Sequence, residues 1–168
     1  MGFAQGWVCW IMSCITSVSY AIVTNGQIGQ KFIPSRGLRQ GDPLSTLLFL
    51  VCSEGLSALL RMGAHRGIIQ GMKICRGAPT LTHLFFADDS VIFGEAATNG
   101  AHKLLDILST YSQCSGHVIN YDKSSVFFST NVIKENRREV CRLLQVTAQQ
   151  SLDKYLGLPS MVGRNKKE

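Results

Sequence analysis

The stretch Leu84–Phe93, LFFADDSVIF, sets two adjacent aspartates, Asp88 and Asp89, inside the most apolar, strand-like run of the chain. They are the only neighbouring acidic residues in 168 residues of net charge +6. The Phe, Val and Ile residues on either side favour strands, so the segment reads as two strands joined at Ala87-Asp88-Asp89. A single buried carboxylate is unfavourable unless paired or ligated, and two side by side repel each other. A divalent cation removes that conflict. Hard cations such as Mg²⁺ take oxygen ligands, typically one or two carboxylates together with substrate phosphates. An Asp-Asp hairpin is therefore a suitable mount for metal-assisted phosphoryl transfer. Taken alone, the pair also reads as a solvated turn, the commoner case, because Asp is favoured in turns. The neighbouring segments decide between the two.

Upstream of the pair, GMKICRG (71–77) reads as a short strand and TLTHLFF (80–86) as the first arm of the hairpin. Before them, Leu44, Leu47, Leu48, Val51, Leu56, Leu59 and Leu60 give one apolar helical face, with Gly63 placed to end the helix. The helix starts at PSRGLRQGDPLS (34–45), a glycine-punctuated basic loop in which Asp42 caps and Pro43 suits the first helical position. Earlier still, SYAIVTNGQIGQKFI (19–33) reads as a hairpin about Asn25-Gly26. Trp7, Ile11, Cys14, Ile15 and Val18 predict a helix over 5–18. Downstream, residues 99–115 form a helix ended by Gly116, SSVFFS (124–129) a strand, KENRREVCRLLQV (134–146) an amphipathic helix and KYLGLP (154–159) a last strand. Helices interleaved with antiparallel hairpins predict an α+β sheet covered on one face by helices. Runs such as LFFA predict strands at its centre.

The apolar content of 45% and mean hydropathy of +0.11 suit a globular protein. A pI of about 9.1 points to an anionic partner, nucleic acid or a membrane surface. Six dispersed cysteines without a CxxC pair argue against a zinc ribbon and for small core side chains in a reducing compartment. Residues 1–30 carry no charge. No basic n-region marks a signal peptide, and Ser13, Thr16, Ser17 and Ser19 interrupt any span, so neither a signal peptide nor a transmembrane segment is expected.

Four segments share one family's order. FADD resembles the Tyr/Phe-Ala-Asp-Asp box of reverse transcriptases. PSRGLRQGDPLSTLLFLVCSEGLSALL (34–60) is similar to that family's Arg-Gln-Gly-Asp-Pro-Leu-Ser box and its following helix. SGHVINYDKSSVFFS (115–129) resembles the segment carrying Asn-x-x-Lys-Ser, and KYLGLPSMVGR (154–164) the Tyr-Leu-Gly box. The wording is closest to plant LINE-type (non-LTR) retrotransposon enzymes, and the likeness runs the length of the chain.

That resemblance implies an α+β, polymerase palm-like antiparallel sheet covered by helices and incomplete on its N-terminal side. Residues 1–130 would be the C-terminal part of the palm; 131–168 would be its end, the primer-grip strand and the start of the thumb or connection. It implies RNA-directed DNA synthesis on an RNA template and a DNA primer from deoxynucleoside triphosphates, away from membranes, in the nucleus or cytoplasm. Asp88 and Asp89 would be catalytic and would hold two Mg²⁺ or Mn²⁺ ions, with Asp88 the more direct ligand. Lys123 would face the pyrophosphate. Arg36, Gly37, Arg39, Gln40, Gly41 and Phe86 would meet template and nucleotide, Phe86 replacing a common Tyr. Tyr155, Leu156 and Gly157 would grip the primer. Plain alternatives stand beside each: solvated surface for Arg36, Arg39 and Lys123, an edge strand for Tyr155–Gly157. The pairs Arg137-Arg138 and Lys166-Lys167 read as solvated charge or as phosphate contacts.

The family also needs an aspartate on an earlier strand. The first acidic residue here is Asp42, assigned as a cap, so the 168 residues are expected to have little or no polymerase activity alone. A degenerate, non-enzymatic transposon remnant that binds nucleic acid weakly is the alternative.

Overall fold

The structure, a computed structural model, describes residues 2–35 and 37–149. Arg36, the strand expected at 154–159 and the basic end lie outside the described residues. The chain divides into two units, Met1–Cys52 and Ser53–Glu168.

In the first unit, α1 (Gln5–Thr16) occupies the predicted helical segment, and Phe3 stacks on Trp7 with ring centroids 4.4 Å apart. β1 (Val23–Thr24) and β2 (Gln27–Ile28) then pair antiparallel. Asn25 (φ 52°) and Gly26 (φ 80°) both adopt positive φ, the two-residue turn that matches strand twist. Tyr20 and Phe32 extend the pairing by an isolated bridge, Tyr20 N–H donating to Phe32 O at 2.9 Å and Phe32 N–H to Tyr20 O at 2.8 Å. No described residue of this unit is buried; Trp10 is 76% and Ile28 75% exposed.

α2 (Pro43–His65) starts in the first unit and continues into the second. Asp42 caps it as expected, Oδ1 accepting from Leu44 N–H at 2.9 Å. Its end differs from expectation. Gly63 is inside the helix and buried, where an added Cβ would lie 2.9 Å from Ile107 Cδ1. The stop is at Gly67 (φ 66°): Ile68 N–H donates to Gly63 O at 2.8 Å and Gly67 N–H to Ala64 O at 3.0 Å. That double closure is a Schellman motif, which requires its glycine two residues beyond the last helical one. By length and composition α2 also passes for a membrane-crossing helix, the one such helix among the described residues.

In the second unit α2 turns Leu56, Ser57, Leu60 and Gly63 inward. Leu56 and Leu60 make a core with Ile69, against which Phe85 and Ile92 of the Asp-Asp hairpin and Leu104, Ile107 and Leu108 of α3 (Thr98–Ser115) pack. A second core gathers Ala101 of α3, Phe128 and Val140 of α4 (Lys134–Leu144). α3 therefore serves both cores from different faces, and Gly116 (φ 73°) ends it as predicted.

The strands depart from the single sheet expected. Among the described residues they form three separate two-stranded ladders: β1–β2, then β3 (His83–Phe86) with β4 (Asp89–Ile92), then β5 (Ser125–Phe127) with β6 (Thr147–Gln149). The last pair is parallel, so β5, α4 and β6 make a small crossover unit where an antiparallel arrangement was expected. GMKICRG is bent rather than extended and contributes one bridge, Met72 to Leu81.

Arg137 was a candidate phosphate contact. Its Nε donates to Val132 O at 2.9 Å, Nη2 donates to Ser129 O at 2.9 Å and to Thr130 O at 3.3 Å, and the guanidinium lies 5.9 Å from the Phe128 ring centre. The fork thus ties down the loop between β5 and α4 through Nε and Nη2. Arg137→Ala should lower stability by about 2 kcal/mol, because several charge-assisted bonds to backbone carbonyls are lost at once. Chemical denaturation checks this, and Arg137→Lys should recover less than half, since an ammonium cannot span three carbonyls as a planar fork does.

Candidate active site

β3 and β4 pair in register His83 to Ile92, Leu84 to Val91, Phe85 to Ser90 and Phe86 to Asp89. The turn is therefore Ala87-Asp88, and Asp89 is already the first ladder residue of β4. Directly opposed residues share a face. His83, Phe85, Ser90 and Ile92 form one face, and Phe85 and Ile92 pack on the core. Leu84, Phe86, Asp89 and Val91 form the other. On it Leu84 is 39% and Phe86 54% exposed, so β3 is not a central strand as expected but a half-covered one. Apolar on both faces, it reads as buried; the covering for its second face is absent from the described residues.

Both carboxylates are exposed, and neither takes part in a hydrogen bond or ion pair among the described residues. Burial is therefore not what sets them apart; adjacency and freedom from partners are. Ala87 adopts φ 48°, a conformation that disfavours side chains other than glycine, and asparagine and aspartate to a lesser degree. The tight turn forces this strain, and the result carries Asp88 in the turn and Asp89 opposite Phe86 in the ladder. Strain of this kind is a recurrent feature of functional loops.

Carboxylate oxygens are the donor type that a hard divalent cation takes. Two free carboxylates on successive residues are the protein ligands Mg²⁺ ordinarily uses, with water and phosphate supplying the rest. Among the described residues no group of three His, Cys, Asp or Glu is gathered as a cage.

The remaining predicted residues stand on other elements. Gly37 (φ 76°) and Gly41 (φ 86°) both need the backbone freedom of glycine. Between them the loop is closed onto α2: Asp42 N–H donates to Arg39 O at 3.3 Å, and Ser45 Oγ donates to the same carbonyl at 2.8 Å. Arg39 and Gln40 keep their side chains exposed on this loop. Lys123 ends a single 3₁₀ turn, Tyr121–Lys123, and is also exposed. Its strand, β5, pairs with β6 rather than with β3 or β4. Arg36, Tyr155, Leu156 and Gly157 lie outside the described residues.

Asn120 and Ser124 carry a role the sequence reading did not assign. Asn120 Oδ1 accepts from Lys123 N–H at 3.2 Å, and Ser124 Oγ donates to Asn120 O at 2.7 Å. The Asn-x-x-Lys-Ser spacing is thus the spacing of a capped turn that holds Lys123 outward, a signal present in the preference of Asn and Ser for such local bonds.

Comparison with known proteins gives the same family as the four segments. A sequence profile described as "Reverse transcriptase (RNA-dependent DNA polymerase)" matches residues 2–159. An uncharacterized mitochondrial protein of Arabidopsis thaliana is 46% identical over 68 residues, 40% of this chain and 56% of that protein. The retrovirus-related Pol polyprotein from the type-2 retrotransposable element R2DM of Drosophila melanogaster is 29% identical over 144 residues, 86% of this chain and 12% of that protein. The chain thus spans about half of one relative and about an eighth of the other. With a profile match over nearly its whole length, the chain belongs to the reverse transcriptase (RNA-dependent DNA polymerase) family.

Proposed function

We propose that these residues are part of the palm of a LINE-type reverse transcriptase, and that the Asp88–Asp89 hairpin is its metal mount. The observation that carries this reading is a pair of exposed carboxylates without a hydrogen-bond or ion-pair partner among the described residues, Asp88 in a strained two-residue turn and Asp89 at the first ladder position after it. Mg²⁺ or Mn²⁺ bound there would supply charge neutralisation for the triphosphate and a lowered pKa for a primer 3′-hydroxyl. Asp88 and Asp89 hold the ions; Phe86, on the same face as Asp89, gives the primer end an apolar floor. The Gly37–Gly41 loop offers the exposed Arg39 and Gln40 side chains to template and nucleotide, and Arg36, next to it in the sequence, joins them in this reading. Lys123 neutralises the departing pyrophosphate. Tyr155, Leu156 and Gly157 hold the primer strand, and residues 131–168 lead from the end of the palm toward a thumb or connection.

Residues 1–41 contain no Asp or Glu, so the earlier-strand carboxylate that this reading calls for is not among them. The chain by itself is accordingly inactive in primer extension and binds metal and primer–template only weakly. Mn²⁺ titration followed by electron paramagnetic resonance, with and without primer–template, tests the reading. The expected result is binding that tightens when primer–template and nucleotide are present and weakens at least about ten-fold in Asp88→Ala. Equal affinity in the two proteins would remove the metal mount and leave the non-enzymatic remnant. Robust Mg²⁺-dependent synthesis by the chain alone would overturn its inactivity.

A further inference from the structure

Ser57 and Thr82 are the two buried polar side chains among the described residues, 6% and 9% exposed. Both bond the same imidazole. Ser57 Oγ lies 2.9 Å from His83 Nε2, and Thr82 Oγ1 lies 2.8 Å from His83 Nδ1. Arg61 Nη1 donates to Ser57 Oγ at 2.6 Å, and Arg61 is held in turn by Glu54. In either neutral tautomer one ring nitrogen of His83 donates and the other accepts, and each faces a hydroxyl that can take the complementary part. The row Glu54–Arg61–Ser57–His83–Thr82 therefore runs from the surface of α2 to the base of β3, five residues before Asp88.

A two-stranded ribbon is marginally stable without support. Apolar contact of Phe85 and Ile92 with the core holds this one down but is non-directional. The Ser57–His83 bond is directional, and a rotation of the ribbon about its own axis breaks it. We propose that Ser57 and His83 are positioning residues for the Asp88–Asp89 hairpin, latching β3 to α2 so that the two carboxylates are presented in one fixed direction. This rests on the reading of the hairpin as a metal mount.

The charged groups acting on the imidazole are Arg61 and Glu54, both on α2; Ile92, opposite it across the ladder, is apolar. Burial and then Arg61 hold the His83 pKa below its ordinary 6.5, with Glu54 opposing. In the unfolded chain the imidazole takes up its proton at a higher pH than in the folded one. Stability is thus full above about pH 6.5 and is lost as pH falls toward the lowered folded value.

The test uses the full chain with Ser57→Ala, His83→Gln and Asp88→Asn. Ser57→Ala should speed amide hydrogen exchange in the β3–β4 ladder about ten-fold, the size of one buried hydrogen bond, leave α3 amides unchanged, and weaken Mn²⁺ binding. His83→Gln keeps a donor and an acceptor; it should restore slow exchange and Mn²⁺ affinity while abolishing the loss of Tm below about pH 6.5. Wild-type exchange and Mn²⁺ affinity in folded Ser57→Ala, or equal acceleration in β3–β4 and α3, overturns the latch. If Ser57→Ala does not fold, His83→Ala gives the same comparison. Equal Mn²⁺ affinity in Asp88→Asn and wild type removes the metal mount instead, and the latch then stands or falls on the exchange pattern.

Discussion

Leu60→Ala is expected to destabilise the chain by about 3–5 kcal/mol, the range for emptying a fully enclosed leucine site. Leu60 is the one large side chain with no exposure among the described residues. It sits in the core that Ile69, Phe85 and Ile92, and Leu104, Ile107 and Leu108 of α3 share. Its neighbours come from α2, the hairpin and α3, three elements that cannot all move inward at once, so the cavity stays largely open and the upper part of the range applies. Phe85 and Ile92 are the apolar anchors of the carboxylate-bearing ribbon, so the same cavity loosens the hairpin. Urea denaturation by circular dichroism measures the loss. Leu47→Ala, on the same helix but at a residue 60% exposed, should change stability by less than about 0.5 kcal/mol. Similar values for the two variants would mean that Leu60 is not enclosed as described.

The hairpin, the cap and the family were legible because each is written in local chemistry. Asn25-Gly26 and Gly116 occupy positive φ where the sequence placed them, and Asp42 caps α2 through the bond its position implies. What escaped depends on distance in the chain. Gly63 and Gly67 are equally plausible stops by composition; only the contact with Ile107 makes the first a packing position. β6 is Thr147-Ala148-Gln149, without apolar alternation, and becomes a strand through pairing with β5. Arg137 looked like surface charge because its partners are backbone carbonyls, which no side-chain pattern reveals. The site itself divides the same way. The adjacency of Asp88 and Asp89 is a sequence fact, whereas their exposure and the half-bare face carrying Phe86 depend on which side of the ribbon meets α2. The Ser57–His83 contact joins residues 26 apart and left no local trace.

Gly71→Ala tests the other attachment of that ribbon, and its sign separates steric effects from ordinary conformational ones. Gly71 does not have positive φ, so alanine there should ordinarily stabilise by about 0.4–1 kcal/mol through the unfolded chain. Here the added Cβ would sit 2.4 Å from Leu81 O, 2.9 Å from Leu81 C and 2.8 Å from Thr80 Cγ2. Two of those three atoms are backbone and cannot swing aside. Relief requires the Met72–Leu81 bridge to open, and its two bonds, Met72 N–H to Leu81 O and Leu81 N–H to Met72 O, are both 2.8 Å long. Losing both outweighs the entropic gain, so the net expected effect is a destabilisation of about 2–3 kcal/mol. Leu81 immediately precedes Thr82 and His83, so the displaced backbone also pulls on the latch to Ser57. Gly94→Ala is the matched control: nothing lies within 4 Å of its added Cβ and its φ is not positive, so it should be neutral or stabilising. If Gly71→Ala is as stable as Gly94→Ala, the backbone at Leu81 does not lie against Gly71, and the support inferred for the base of the Asp88–Asp89 hairpin is lost with it.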